Sequence, residues 1–252
     1  VQSYQTIKWS CTTIKRSYTL DYQYFKSELM KHDLCHTLVV TKKILLKCID
    51  NYYFMIIDID TLLAWGAAYK QVAAGEVIFS EGAACYYYYQ VVSGSVRWVN
   101  IDEEGRDYIQ TIIEKGECFG ELPLFDDETY AASAIAEEDS IIIKLRKPVF
   151  LQLLKENVKI HFALSKVMAK RIRFRFILLK SIAYHSPETR VVALLDYLKK
   201  EKKNFCCVCN MIKLTRQQIA DMTGLRVETV IRVMRNMHDK GDIKIEKGKV
   251  YY

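Results

Sequence analysis

Glycine recurs about every ten residues through one part of the chain, at positions 75, 82, 94, 105, 116 and 120. The runs between these glycines are short and rich in β-branched and aromatic residues, so each reads as a strand closed by a turn. "EVIFSEG" ends in a Glu-Gly turn, and "ACYYYYQVVSGSVRWVN" breaks into two strands at Gly94. "NIDEEGRD" is a polar hairpin loop with Gly105 placed for positive φ. "DYIQTII" alternates as a half-buried strand, and "DSIIIKLRKPVF" supplies one more. Short strands at this spacing fit a β-barrel or roll. Ahead of them, "IIDIDTLLAWGAAYKQ" reads as a helix leading into the roll.

The pattern then changes. No Gly or Pro intervenes from Asn157 to Ala183, and Ile160, Leu164, Val167, Met168, Ile172, Leu179 and Ile182 recur at three- and four-residue steps. That predicts an amphipathic helix of about seven turns. A helix so long, with a narrow apolar seam, packs on a partner helix or back on its own roll; the favoured reading is a homodimer through this helix. Ser186 and Pro187 mark a break, the first as a cap and the second suited to a first helical turn. "ETRVVALLDYLKKEKK" follows as a helix and "NFCCVCNMIKL" as a short extended piece.

"LTRQQIADMTGLRVETVIRVMRNM" is the most informative segment. Thr215 and Gln218 have the spacing of a capping box, so a helix starts there. Gly224 ends it in a tight turn, and Leu225, Val230 and Val233 give the apolar face of a second helix. This is a helix-turn-helix pattern with the second helix as the reader. "GDIKIEKGKVYY" adds a β-hairpin wing with Lys247 and Lys249 at its tip. Glu228 and Arg232 share one helix face. They form either an intrahelical ion pair or a pair of base contacts, Arg232 to guanine and Glu228 to a cytosine amino group. Arg216, Arg226, Thr229 and Arg235 are phosphate candidates, with Gln217 beside them on the first helix.

Charge separates along the same lines. Residues 55–143 carry four bases against seventeen acids, and residues 144–186 carry eleven bases against one acid. An acidic half followed by a basic half fits a sensor joined to a polyanion binder. No uncharged apolar run is long enough to span a membrane, and no signal peptide is evident, so the expectation is a cytoplasmic protein with reduced cysteines. No P-loop, dinucleotide fingerprint, catalytic triad or metal constellation stands out. The chain therefore reads as no enzyme, with no catalytic residue, metal or cofactor. Cys11, Cys35 and Cys48 are spaced poorly for an iron–sulfur cluster, and Cys206, Cys207 and Cys209 read as structural thiols. Nothing singles out His161 or His185 as a haem ligand.

An acidic glycine-punctuated roll, a long helix and a winged helix-turn-helix, in that order, resemble the CRP/FNR family of bacterial transcription regulators. The matching stretches are "FGELPLF", "VMAKRI" and "LTRQQIADMTGLRVETVIR". "VETVIR" looks closer to the FNR side of the family. The resemblance implies an α+β architecture with an effector roll at residues 55–150, a dimerisation helix at 151–185 and a winged helix-turn-helix at 186–252. It implies a symmetric dimer on an inverted repeat of double-stranded DNA, with RNA polymerase a further candidate partner. Residues 1–54 match nothing in the family; native translation is expected to start at or near Met55, the alternative being a genuine extension.

The resemblance also places an effector pocket at Gly120, Glu121, Leu122, Tyr130, Ala131, Arg175 and Phe176. In members that bind cyclic AMP, the loop after Gly-Glu-Leu ends in an Arg-Ser pair that grips the cyclic phosphate. Here those positions are Tyr130 and Ala131. A Thr-Ser pair on the long helix is replaced by Arg175 and Phe176. From Gly116 to Ile143 there is no Lys or Arg against eight acids. The loss of a charge-assisted bond costs roughly 1.5–3 kcal/mol, so the unknown small-molecule effector is expected not to be cyclic AMP. Tyr130 and Phe176 are expected to line the cavity, with Arg175 the basic side chain nearest the site. The alternative function is a cyclic-nucleotide-responsive signalling module without DNA binding; the helix-turn-helix and the missing phosphate Arg oppose it.

Overall fold

Two antiparallel sheets make the roll. Their strands are β1 (Ala68–Val72), β2 (Val77–Phe79), β3 (Tyr87–Ser93), β4 (Val96–Ile101), β5 (Asp107–Ile113), β6 (Cys118–Phe119), β7 (Ser133–Ala136) and β8 (Ser140–Arg146). One sheet runs β1-β8-β3-β6 and the other β2-β7-β4-β5. The computed structural model describes residues 55–252 except His185, Cys207 and Val208. The expectations for residues 1–54, including Cys11, Cys35 and Cys48, lie outside the described residues, as do those for His185 and Cys207.

The turn expected at Gly94 is present, with φ at +86°. A Cβ there would lie 2.1 Å from Ser140 Oγ, which accepts from the Ser95 N–H at 3.1 Å and donates to the Glu138 carbonyl at 2.7 Å. The tyrosine run before it serves two cores at once, because successive strand residues face opposite ways. Tyr89 joins Phe79, Val91, Phe119, Tyr130 and Ile142 inside the roll. Tyr88 faces outward and stacks on Phe150 with ring centroids 4.4 Å apart. Its hydroxyl donates to Gln90 Oε1 at 2.6 Å. Buried Gln90 also accepts from the Ile57 N–H and donates to the Ile57 carbonyl, so a side-chain amide acts as strand partner to the incoming chain.

The leading helix is shorter than expected. Helix α1 covers only Ile59–Ala64, capped by Asp58, and Gly66 ends it with φ at +83°. A glycine just past a helix is a stop signal, and "AYKQV" becomes β1 instead. Likewise β8 stops at Arg146. Pro148 sits in the first turn of α3 (Lys147–Glu156), after the short α2 (Pro123–Asp126).

Helix α4 (Val158–Tyr184) has two distinct faces. Ile160, Leu164, Val167 and Met168 pack on the outer core of the roll with Leu145, Phe150 and Leu153. The expected seam therefore merged two stripes. Ile172, Leu179 and Ile182 are exposed, together with Val158, Phe162 and Phe176.

The C-terminal part runs α5 (Pro187–Glu201), β9 (Phe205–Cys206), β10 (Met211–Ile212), α6 (Arg216–Thr223), α7 (Val227–Lys240), β11 (Lys244–Glu246) and β12 (Lys249–Tyr251). The extended "NFCCVCNMIKL" piece is in fact two short paired strands, inside a sheet of order β11-β12-β10-β9. One apolar core joins Val191, Leu194, Ile219, Val230 and Met234 to Val99, Ile109, Ile112 and Ile135 of the roll. The architecture is α+β: a roll, a long helix and a helix-turn-helix domain. Among the described residues no helix is long and apolar enough to cross a membrane.

Candidate nucleic-acid interface and effector loop

The capping box expected at the start of α6 is formed. Gln218 N–H donates to Thr215 Oγ1 at 3.1 Å, and Thr215 N–H donates to Gln218 Oε1 at 2.9 Å. Gly224 closes the helix at φ +64°, and the Leu225 N–H returns to the Ala220 carbonyl. Val230, Val233, Met234 and Met237 bury one face of α7. The opposite face carries exposed Glu228, Arg232 and Arg235, with Arg226 exposed at the cap and Thr229 half-buried. Glu228 and Arg232 do not pair with each other, and among the described residues neither Arg226 nor Arg235 has an ion-pair partner. Exposed Ile231 stands among them, an apolar contact point that sequence reasoning missed. Its signal was a β-branched residue one position before Arg232, off the buried stripe.

The wing is a two-residue hairpin. Lys247 and Gly248 both take positive φ, +48° and +77°, between paired Glu246 and Lys249. That is the I′ geometry favoured by right-twisted strands. Lys247 and Lys249 are exposed. Arg216 is committed elsewhere: one guanidinium nitrogen donates to the Gly248 carbonyl at 2.6 Å and ties the wing tip to α6. Gln217 likewise donates to Asp221 Oδ1 at 2.7 Å.

In the roll, β6 leads directly into Gly120 and Glu121. Gly120 has φ +68°, and a Cβ there would lie 2.7 Å from the Phe79 ring. Glu121 is 1% exposed and pairs with Arg171 of α4; Arg171 also donates to the Cys118 carbonyl at 2.6 Å. Burial opposes the Arg171 charge, but Glu121, Cys118 and Glu117 outweigh it and hold its pKa above the ordinary arginine value. Lys147 of α3 donates to the Pro123 carbonyl at 2.5 Å and to Asp127 Oδ1 at 2.7 Å. A loop with no cation of its own thus borrows two from outside its stretch of sequence.

The other expected pocket residues are dispersed. Leu122 and Ala131 are exposed. Tyr130 is 2% exposed and stacks on Phe79 with centroids 3.7 Å apart. Its hydroxyl has no hydrogen bond of good geometry, and burial, with the Cys85 thiol close by, raises its pKa well above the usual tyrosine value. Phe176 is 67% exposed and does not line the roll. Arg175 lies over the Phe174 ring, 6.0 Å from its centroid, and burial lowers its pKa. Helical phase explains the difference: five residues beyond Arg171 is about 140° around the helix at 100° per residue, whereas Arg175 is one turn above it. The cation that reaches Glu121 is therefore Arg171, which periodicity from Arg175 could have found. Among the described residues no cluster of His, Cys, Asp and Glu is arranged to hold a metal.

Removing one member of a buried ion pair strands the other charge. Arg171→Met is therefore expected to cost about 3–5 kcal/mol of stability, and the double variant Arg171→Met/Glu121→Gln much less. Urea unfolding of both variants measures the difference; equal losses would show that the pair does not act as a unit.

Residues 69–157 match the cyclic nucleotide-binding domain family, and residues 189–251 match the Crp-like helix-turn-helix domain family. The chain is 27% identical over 177 residues to the cyclic AMP receptor protein of Thermus thermophilus, covering 70% of this chain and 79% of that one. It is 28% identical over 184 residues to the cAMP-activated global transcriptional regulator CRP of Haemophilus influenzae, covering 72% and 82%. In structure it is similar to the c-di-GMP-responsive global regulator CLP of Xanthomonas campestris, with a TM-score of 0.63 at 20% identity over 77% of this chain and 96% of that one. It is also similar to FixK2 of Bradyrhizobium japonicum, with a TM-score of 0.62 at 22% identity over 73% and 91%. With both domain types in one chain and in this order, the protein belongs to the CRP/FNR family of transcription regulators and carries that family's helix-turn-helix DNA-binding domain.

Proposed function

We propose that the protein acts as a homodimer that reads an inverted repeat in double-stranded DNA, under the control of a roll whose effector is not cyclic AMP. In this reading residues 55–150 are the effector roll, 151–185 the dimerisation helix and 186–252 the reader. The observation that carries it is the outward face of α7 and the wing, where Arg226, Glu228, Arg232, Arg235, Lys247 and Lys249 are exposed and, among the described residues, held by no ion pair. Free charges at base-reading and phosphate-reading positions are what a major-groove helix requires. Arg216 and Gln217 serve instead to brace the wing and α6.

The dimer reading rests on the second face of α4. Val158, Phe162, Ser165, Ala169, Ile172, Phe176, Leu179 and Ala183 are all exposed and spaced alternately four and three apart. That is a heptad seam, set about a third of a turn round the helix from the stripe that packs on the roll. Small Ser165 and Ala169 at its middle let two helices approach closely.

The effector reading rests on the filled interior. The relatives named above as cAMP-activated or cyclic AMP receptors define one expectation, but here Phe79, Tyr89, Phe119 and Tyr130 occupy the roll and Arg171 is already neutralised by Glu121. Among the described residues the buried oxygens Glu121 Oε2 and Tyr130 Oη make no hydrogen bond of good geometry. A flat, weakly charged ligand carrying hydrogen-bond donors, or no ligand at all, suits this interior better than a cyclic phosphate.

Three measurements test these readings. Arg232→Ala is expected to cost about 1–3 kcal/mol per half-site and to relax preference at one base pair, whereas Lys247→Ala weakens all sequences alike and lowers the salt slope by about one. Equal losses on specific and random DNA for Arg232→Ala would put the wrong residue on the bases. Phe176→Glu is expected to give a monomer at micromolar concentration by sedimentation equilibrium; an unchanged dimer would place the seam elsewhere. Titration calorimetry with cyclic AMP is expected to show no binding tighter than about 10 μM, near −7 kcal/mol; tighter binding would refute the effector reading.

A further inference from the structure

The reader half is held on the roll by carboxylates. Glu114 follows the end of β5 and uses both oxygens: Oε2 accepts from the Asn204 N–H at 3.0 Å and Oε1 from Lys213 Nζ at 3.2 Å. Glu117 accepts from Lys203 Nζ at 3.0 Å, and its other oxygen accepts from the Glu114 N–H at 2.8 Å, so the two acids brace each other. Glu137 accepts from Gln218 Nε2 at 3.1 Å. Beneath lies the apolar floor of Ile109, Ile112 and Ile135. The donors are notable for their place: Lys213 and Gln218 flank Thr215, the N-cap of α6. Helix N-termini and the bases around them are where a helix-turn-helix takes phosphate. Roll carboxylates occupy that ground, and their field reaches further: burial raises the Asp221 pKa, and Asp107 and Glu137 add to it.

We propose that Glu114, Glu117 and Glu137 form an ionic latch that docks the reader on the roll and holds it back from DNA. The inference rests on the reading that α6 and α7 bind DNA. An acid at the N-terminus of α6 repels the phosphate that would sit there, so the docked arrangement opposes binding while leaving the base-reading face of α7 open. Position adds a link to the effector loop. Glu117 is three residues before Gly120, and between them β6 carries the Cys118 carbonyl that accepts from Arg171. A change at Glu121 acts on the same short stretch of backbone that carries the latch.

The test is Lys203→Met in the full chain. Lys203 bonds Glu117 from the reader side, so the change unlatches the reader while removing a positive charge from a DNA-binding domain. Plain electrostatics predicts weaker DNA binding; the latch predicts stronger. The expected result is a two- to fivefold faster hydrogen exchange at the Asn204 amide, the scale of one partly exposed ion pair, about 0.4–1 kcal/mol, with a similar gain in DNA affinity at fixed salt. Glu114→Ala, made on the roll side, is expected to raise the same exchange rate and guards against a local folding effect of either variant. Unchanged exchange in both variants, or DNA affinity that falls with Lys203→Met, overturns the latch. Absence of DNA binding by wild type and variants alike overturns the DNA reading and this inference with it. The exchange measurement needs no DNA and so tells the two failures apart.

Discussion

The buried contact between Glu121 and Arg171 is the constraint on which the arrangement depends. Desolvating both charges offsets most of their attraction, so the pair adds little net stability. What it does add is phase. Only one rotation of α4 brings Arg171 to Glu121 and to the Cys118 carbonyl. That rotation puts Leu164 and Met168 against the roll and turns Ile172, Phe176 and Leu179 outward. A single polar contact thus decides which apolar stripe is core and which stays exposed.

The same economy governs charge. The acidic roll and the basic segments that follow it meet in several ion pairs within the chain. Lys147 closes the loop after Gly120 on Asp127, Lys203 and Lys213 meet Glu117 and Glu114, and Lys170 meets Glu201. Basic residues that as composition suggest a polyanion binder are therefore of two kinds. Some are consumed in holding the halves together. Others, on α7 and the wing, have no ion-pair partner among the described residues, and they are the ones that the proposed reading places on DNA, where low ionic strength would strengthen their pull.

Much of the fold was legible because its signals are local. A capping box, a glycine C-cap and a Lys-Gly hairpin turn are each decided within a few residues, and all three take the expected form. The misreadings have a common origin. Gly66 was passed over as a helix stop, and two stripes of α4 were merged into one seam. In each case periodicity was read across a boundary or around a cylinder without knowing what lay on the other side.

By itself the sequence determined the order of the parts: short glycine-bounded strands, a long uninterrupted helix and a capped helix-turn-helix with a wing. These follow from backbone conformation and from the two side-chain periods, which need no distant partner. Only the tertiary structure decided that Arg171 rather than Arg175 meets Glu121, that Tyr130 fills the roll beside Phe79 while Phe176 faces away, and that Glu114 and Glu117 grip the reader. Those contacts join residues far apart in the chain, such as Glu114 and Lys213, and depend on the rotation of one helix about its axis. No local pattern encodes that angle; it is set where packing and a buried charge agree on one answer.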